Sequence, residues 1–130
     1  MIFVDSTVWI DYLRGTDTIQ TEKLDTLFGS GQLVVGDLVI TEVLQGVVNE
    51  REFKYTQELF DTLHIVRLGG YQLCIQSAKN YRFLRSQGYT VRKTIDSLIA
   101  TRCIADKLHL LHNDRDFIPF TKYLGLKSVI

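Results

Sequence analysis

Residues 1–13, MIFVDSTVWIDYL, carry the reading on which the fold turns. Ile2, Phe3 and Val4 form a short apolar run that predicts a buried strand. The run stops at a carboxylate, Asp5, which is followed by two hydroxyl residues, Ser6 and Thr7. Val8, Trp9, Tyr12 and Leu13 then recur at helical spacing. A charge placed where a buried strand hands over to a helix either caps that helix or belongs to a site.

Outward from this stretch the same alternation repeats. Apolar runs at Leu33–Val35, His64–Val66, His109–Leu111 and Leu126–Ile130 predict four more strands. Between them Ile19, Leu24, Leu27 and Phe28 suit a helix ending near Gly29. Asn49 with Glu52 resembles a capping pair ahead of Phe53, Leu59 and Phe60. Tyr71, Cys74, Ile75, Ala78 and Tyr81 predict one apolar stripe, on a helix that Gly88 closes, and Ile95, Leu98, Ile99 and Cys103 predict another. Strands alternating with helices imply crossover connections and a parallel sheet. Near-continuous apolar strands are what a sheet covered on both faces requires. The expected architecture is a three-layer α/β domain with a central parallel sheet of about five strands, and ligands in such sheets gather beyond the carboxyl ends of the strands.

A chain of 130 residues, 45% hydrophobic and 23% charged, reads as a single domain, 1–130, with a real core. Pro119 is the only proline, and no stretch is low-complexity or long and apolar enough to span a membrane. The start runs straight into a strand without a basic segment, so the expectation is a cytoplasmic protein with no secretory leader. Cys74 and Cys103 both fall on predicted apolar faces and read as small buried hydrophobes in a reducing compartment. Their spacing matches no zinc site. Fifteen basic residues balance fifteen acidic ones, so a nucleic-acid partner would need a local basic patch with the acids gathered elsewhere.

The acids sort by position. Glu42, in VGDLVITEVLQG, lies in the helical segment after the second strand. Asp96, in VRKTIDSLIATRC, falls in the first turn of a helix expected to be capped by Thr94. Asp114 and Asp116, in LLHNDRDF, directly follow the fourth strand. Each has an ordinary structural explanation: Asp5 as a cap, Asp96 as an acid favoured at a helix start, Glu42 as a solvated residue, NDRD as a polar turn. Together they demand more. Two carboxylates about 4 Å apart repel by roughly 4 kcal/mol at an effective dielectric near 20. A domain has only about 5–15 kcal/mol of stability to set against such a cost. Several acids meeting above one sheet therefore need a cation, and an all-oxygen donor set points to Mg2+ or Mn2+ rather than zinc. His112 reads as a strand-end residue or an outer donor, since one histidine does not make a zinc site.

MIFVDSTVWIDYLRG, the lone Glu42 after the second strand, TIDSLIA and LLHNDRDF together resemble a PIN-domain ribonuclease, and most of all the VapC toxins of bacterial toxin–antitoxin pairs. The likeness spans essentially the whole chain and keeps the order of acids. It implies a PIN-like fold with Asp5, Glu42, Asp96, Asp114 and Asp116 as catalytic and metal-binding residues, supported by Ser6 and Thr7. It implies RNA as substrate; metal-assisted hydrolysis of a phosphodiester does not itself require the ribose 2′-OH, so the resemblance and not the chemistry selects RNA. It also implies a homodimer and a VapB-type antitoxin whose tail lies near the first helices, where a basic side chain reaching Asp5, Glu42 or Asp96 would block the metal. Val8, Trp9, Tyr12 and Leu13 are then core and dimer contacts.

An acidic pocket repels RNA, so its flanks must attract it. Arg14, Lys79, Arg82, Arg85, Arg92, Lys93 and Arg102 are candidates, against the ordinary reading of solvated faces. Arg92 and Lys93, just before Asp96, are placed to rim the pocket, and Tyr89 is the one ring nominated for base stacking. Two rivals remain at this level: a non-catalytic RNA-binding or scaffolding protein of the same fold, and a phosphoaspartate signalling domain. The second needs an acceptor aspartate ending the third strand, where HIVRLGG offers none.

Overall fold

Strand β1 (Ile2–Val4) lies at the centre of a five-stranded parallel sheet in the computed structural model, which describes residues 1–130. The other strands are β2 (Leu33–Gly36), β3 (His64–Val66), β4 (His109–Leu111) and β5 (Lys127–Ser128). They stand in the order β3-β2-β1-β4-β5. Ile2 faces Leu33 on one side and His109 on the other, and each further pairing is parallel. Phe3, Val4, Val34, Val35, Leu110 and Leu111 are fully buried or nearly so, as a sheet covered on both faces requires. The edges are weaker than the sequence predicts. β5 shrinks to two residues, and in β3 His64 and Ile65 are exposed, because an edge strand has a neighbour on one side only.

Strand order dictates where the helices go. The chain runs from β1 outward to β2 and β3 through α1 (Ser6–Leu13), α2 (Ile19–Leu27), α3 (Asp37–Gln45) and α4 (Glu50–Asp61). It then reverses direction past β1 to reach β4 through α5 (Tyr71–Ser86) and α6 (Thr94–Asp106). Since parallel crossovers are right-handed, that reversal puts the later helices on the opposite face. A 3-10 turn (Arg115–Phe117) and α7 (Ile118–Leu124) complete the second layer, and the helices pack among themselves in these two groups. The turning point lies between β1 and β4, the switch point at which such sheets open a crevice.

The first layer is anchored by Trp9, fully buried with Phe60 edge-on at 5.1 Å and Phe28 at 6.1 Å. Val8 is buried with it, so neither can serve as a dimer contact, whatever Tyr12 and Leu13 do. Thr18 and Thr21 form a reciprocal capping pair on α2, and the Asn49 side chain accepts from the Glu52 N–H to start α4.

The second layer departs from the apolar-stripe reading. Tyr71, Cys74, Ile75 and Ala78 are exposed, and α5 buries Ser77, Asn80 and Leu84 instead. The reason is a polar seam: Asn80 donates to Thr101 Oγ1 on α6 at 3.0 Å and accepts from Gln76 at 2.9 Å. Satisfied buried polar groups of this kind rotate the helix away from its hydrophobic side. Cys74 is accordingly exposed and Cys103 buried, both as free thiols.

Two neighbours hold the top of β2. Asp37 Oδ1 accepts from the Leu38 N–H at 2.8 Å and from the Leu68 N–H at 2.9 Å, drawing the segment after β3 across the strand end. Leu68 then presses on Gly36, where a Cβ would lie 2.6 Å from Leu68 Cδ1 and 2.8 Å from Phe3 Cζ. Gly36→Ala should therefore destabilise the protein by about 1–3 kcal/mol through overpacking. The check is a lowered urea midpoint at unchanged slope.

Candidate metal centre

Asp5, Glu42, Asp114 and Asp116 lie on segments that leave the carboxyl ends of β1, β2 and β4, and Asp96 joins Asp114 and Asp116 there from the start of α6. Asp5 ends β1 and caps α1. Its backbone N–H donates to Leu111 O at 3.0 Å, which ties the tip of β1 to β4. Thr7 donates to Asp5 Oδ2 twice, from its hydroxyl at 2.6 Å and its N–H at 3.4 Å. Asp5 Oδ1 has no partner, although the residue is 1% exposed. The cap role and the site role thus use different oxygens of one carboxylate.

Glu42 comes from α3 and Asp96 from the first turn of α6. Each contributes another buried oxygen without a hydrogen-bond partner, Glu42 Oε1 and Asp96 Oδ2. Lys93 occupies the cap position of α6, and Thr94 is its first helical residue rather than its cap. With no side chain capping that end, its backbone N–H groups and partial positive charge favour Asp96 there. Asp114 follows β4 and caps the 3-10 turn, its Oδ1 accepting from the Asp116 N–H at 2.9 Å. One oxygen each from Asp96, Asp114 and Asp116 fall within 4.8 Å of one another. Asp5 and Glu42 stand outside that tight trio but within its electrostatic reach.

The charges bear this out. Burial raises the Asp5 carboxyl, opposed by the Thr7 hydrogen bonds, with the Asp114 charge adding to the rise. Burial followed by the Asp5 charge raises Glu42, while the Ser6 hydroxyl and Lys93 pull it down. Asp96 is pushed up to about 7 by burial, then by Asp5 and Asp114. Unpartnered buried carboxylate oxygens are rare in folded proteins. Here they belong to neighbouring groups that raise one another's affinity for a positive charge. A hard divalent cation fits this donor set on both counts.

Two basic groups modify the centre. Arg92 spans the 3-10 turn, its Nε donating to Asp116 Oδ2 at 2.8 Å and its Nη2 lying 3.8 Å from Asp114 Oδ1. Of the expected rim cations it is the one engaged with the acids themselves, whereas Arg14 and Arg82 are exposed on α1's end and α5. His112 is tied at both ring nitrogens: Nδ1 accepts from the Asp114 N–H at 3.2 Å, which places the ring proton on Nε2 toward Ser128 Oγ at 3.1 Å. Burial lowers its pKa, so it is a neutral brace for the Asp114 turn and has no free nitrogen for a metal. The sequence carried no signal for Asp37 as a tether or for Ser128 as a partner of His112, because both contacts join segments far apart in the chain.

Asp96 makes the cation-free centre sensitive to pH. Its folded pKa of about 7 lies above the ordinary value of 3.8. The folded state therefore binds that proton more tightly than the unfolded chain, and stability falls as pH rises from about 4 to about 7, then levels. In EDTA the protein should melt several degrees higher near pH 5 than near pH 7.5. Asp96→Asn should raise the melting temperature at pH 7.5, flatten this dependence, and abolish stabilisation by added Mn2+. Calorimetry on both proteins checks all three.

Residues 2–122 match the family model described as the PIN domain. Ribonuclease VapC11 of Mycobacterium tuberculosis is 25% identical over 130 residues, covering 98% of this chain and 97% of that protein. The structure of VapBC-1 from nontypeable Haemophilus influenzae superposes with a TM-score of 0.75 at 21% identity, over 99% of this chain and 97% of that one. VapBC2 from Rickettsia felis, bound to a DNA fragment from its promoter, gives 0.73 at 17% identity, over 99% and 98%.

Proposed function

The chain belongs to the PIN-domain family, and on that premise we propose that it is a divalent-metal-dependent endoribonuclease, the toxin partner of an antitoxin that silences it. The observation carrying this reading is the set of unpartnered buried oxygens on Asp5, Glu42 and Asp96, whose charges act on one another, with Asp114 acting on Asp5 and Asp96. A relative named as a ribonuclease supports the substrate class. Solved complexes of VapB with VapC support the antitoxin.

Asp5, Asp96 and Asp114 would hold the cation, with Glu42 closing one side and Asp116 shared with Arg92. When bound, Mg2+ or Mn2+ supplies Lewis-acid polarisation of water and of the phosphoryl oxygens. The chain's own residues prepare the rest. Thr7 fixes the Asp5 carboxylate so that Oδ1 stays turned away from the cap, and Ser6 favours the ionised form of Glu42. Asp96, poised near neutrality, releases its proton as positive charge arrives. Lys93 offsets part of the negative field on Glu42 and Asp96, which eases approach of a polyanion.

Two interfaces accompany this reading. Ile10, Leu13, Val43, Val47 and Val48 border a groove of about 170 Å3 beside Arg14, between α1, α3 and the start of α4. It suits an apolar antitoxin segment, with a basic side chain continuing to Asp5 or Glu42 in place of the cation. The exposed stripe on the first half of α5, with Tyr71 77% and Ile75 41% exposed, is the apolar surface available to a second copy.

The test is cleavage of single-stranded RNA by the pure protein. Activity should require Mg2+ or Mn2+, stop in EDTA, and fall about a hundredfold or more in Asp96→Asn at unchanged folding. Because water rather than the ribose hydroxyl attacks, a substrate with one 2′-deoxy sugar at the cleaved position should still be cut. Activity persisting in EDTA, or lost with that single sugar change, would count against the mechanism.

A further inference from the structure

Residues 71–95 contain Lys79, Arg82, Arg85, Arg92 and Lys93, five of the fifteen basic residues, and none of the fifteen acidic ones. The segment covers α5 and the loop into α6. From residue 118 to the end the chain again has no acid, and Lys122 lies on α7. The fold brings these two acid-free stretches together. The loop into α6 runs along the 3-10 turn and α7, and two contacts join them. Arg92 meets Asp116 at one end, and Lys122 Nζ donates to the Tyr89 hydroxyl at 3.4 Å at the other.

Aromatic rings gather at the second contact. Tyr89 and Tyr123 lie 5.7 Å apart, and Phe83 from α5 meets Tyr123 edge-on at 6.1 Å. The Lys122 ammonium lies over both tyrosines, 5.8 Å from the Tyr89 centroid and 5.1 Å from that of Tyr123. Phe83 and Tyr123 remain 42% and 36% exposed. Beside them Lys79, Arg82 and Arg85 border a shallow depression of about 440 Å3. Rings that serve only as core filling are covered, and cations that serve only for solubility do not need them. Exposed rings interleaved with cations, on two stretches that themselves carry no acid, match the requirements of single-stranded nucleic acid: a π-face for bases and positive charge for phosphates.

We propose that Tyr89, Tyr123, Phe83 and Lys122 form a subsite for the single-stranded RNA flanking the cleaved bond, with Lys79, Arg82 and Arg85 continuing its phosphate track. This rests on the ribonuclease reading of the metal centre. The platform is set at a fixed distance from that centre. Seven residues from Asp116 to Tyr123 rise about 10 Å along the helix, or about three nucleotides at a stacked rise of about 3.4 Å. Bases three or so positions from the scissile phosphate stack on the tyrosines, and Lys122, already held at the rings, meets the phosphate between them. Duplex RNA has its bases internally stacked and is excluded.

Fluorescence anisotropy of a labelled single strand of about eight nucleotides, measured with the full chain in EDTA, reads binding without cleavage. Tyr89→Ala with Tyr123→Ala should weaken binding about tenfold or more, while Phe at both positions should stay within about twofold of the native chain. Since Tyr89 is half-buried, exposed Lys122 gives the second arm. Lys122→Gln should reduce the salt slope by about 0.7, and Lys122→Glu should weaken binding at unchanged melting temperature. Single-strand affinity that ignores both the ring and the lysine changes overturns the subsite and leaves the patch to a protein partner, as does duplex RNA binding equally well. Ring-dependent binding with no cleavage in either Mg2+ or Mn2+ refutes the nuclease reading alone. Cleavage with ring-independent binding refutes the subsite alone.

Discussion

Repulsion between carboxylates at the top of the sheet is the constraint to which the other parts of this molecule answer. Asp5 sits at the end of the central strand with 1% of its surface exposed, and its charge raises the proton affinity of both Glu42 and Asp96. Like charges a few ångströms apart in a partly dry site oppose folding by several kcal/mol. The fold relieves this in three ways. Asp96 takes up a proton near neutrality, Thr7 spends two donors on Asp5, and Arg92 neutralises the pair on the 3-10 turn. None of the three satisfies the free oxygens of Asp5, Glu42 and Asp96. A bound cation would meet that remaining electrostatic demand.

A frame that keeps such groups together has to be stiff where they attach. β1 is the central strand, paired on both sides, with Phe3 and Val4 fully buried, so Asp5 hangs from the middle of the sheet. Asp37 and Leu68 clamp the end of β2, from which α3 carries Glu42. The Asn80–Thr101 seam fixes how α6 turns about its axis, and thereby where Asp96 points. His112 does the same for Asp114. Most of these supports are hydrogen bonds with a defined direction rather than apolar contacts, which fits a need for position more than for cohesion.

Local signals explain what could be read before the fold was known. Three strands coincide with their apolar runs to the residue, and the acids are where strand ends place them, because both features are written in consecutive residues. α5 was misjudged for the opposite reason. Its periodic apolar side is exposed while Asn80 is buried against Thr101 of α6, a pairing without trace in the local pattern. Thr94 looked like a cap by residue type alone, whereas the chain enters α6 one residue earlier. Tyr89 stood out as a ring, but its companions Tyr123, Phe83 and Lys122 come from other elements.

The pairing of Ile2 with His109 has a consequence for the making of the protein. β1 is synthesised before β4 and cannot pair on its second side until about a hundred further residues have emerged. Asp5 waits for Asp114 over the same interval. A partly translated or truncated product therefore carries separated acids, and no nascent intermediate holds an assembled centre. The electrostatic cost of gathering the acids therefore falls only on a domain whose sheet has already closed around β1.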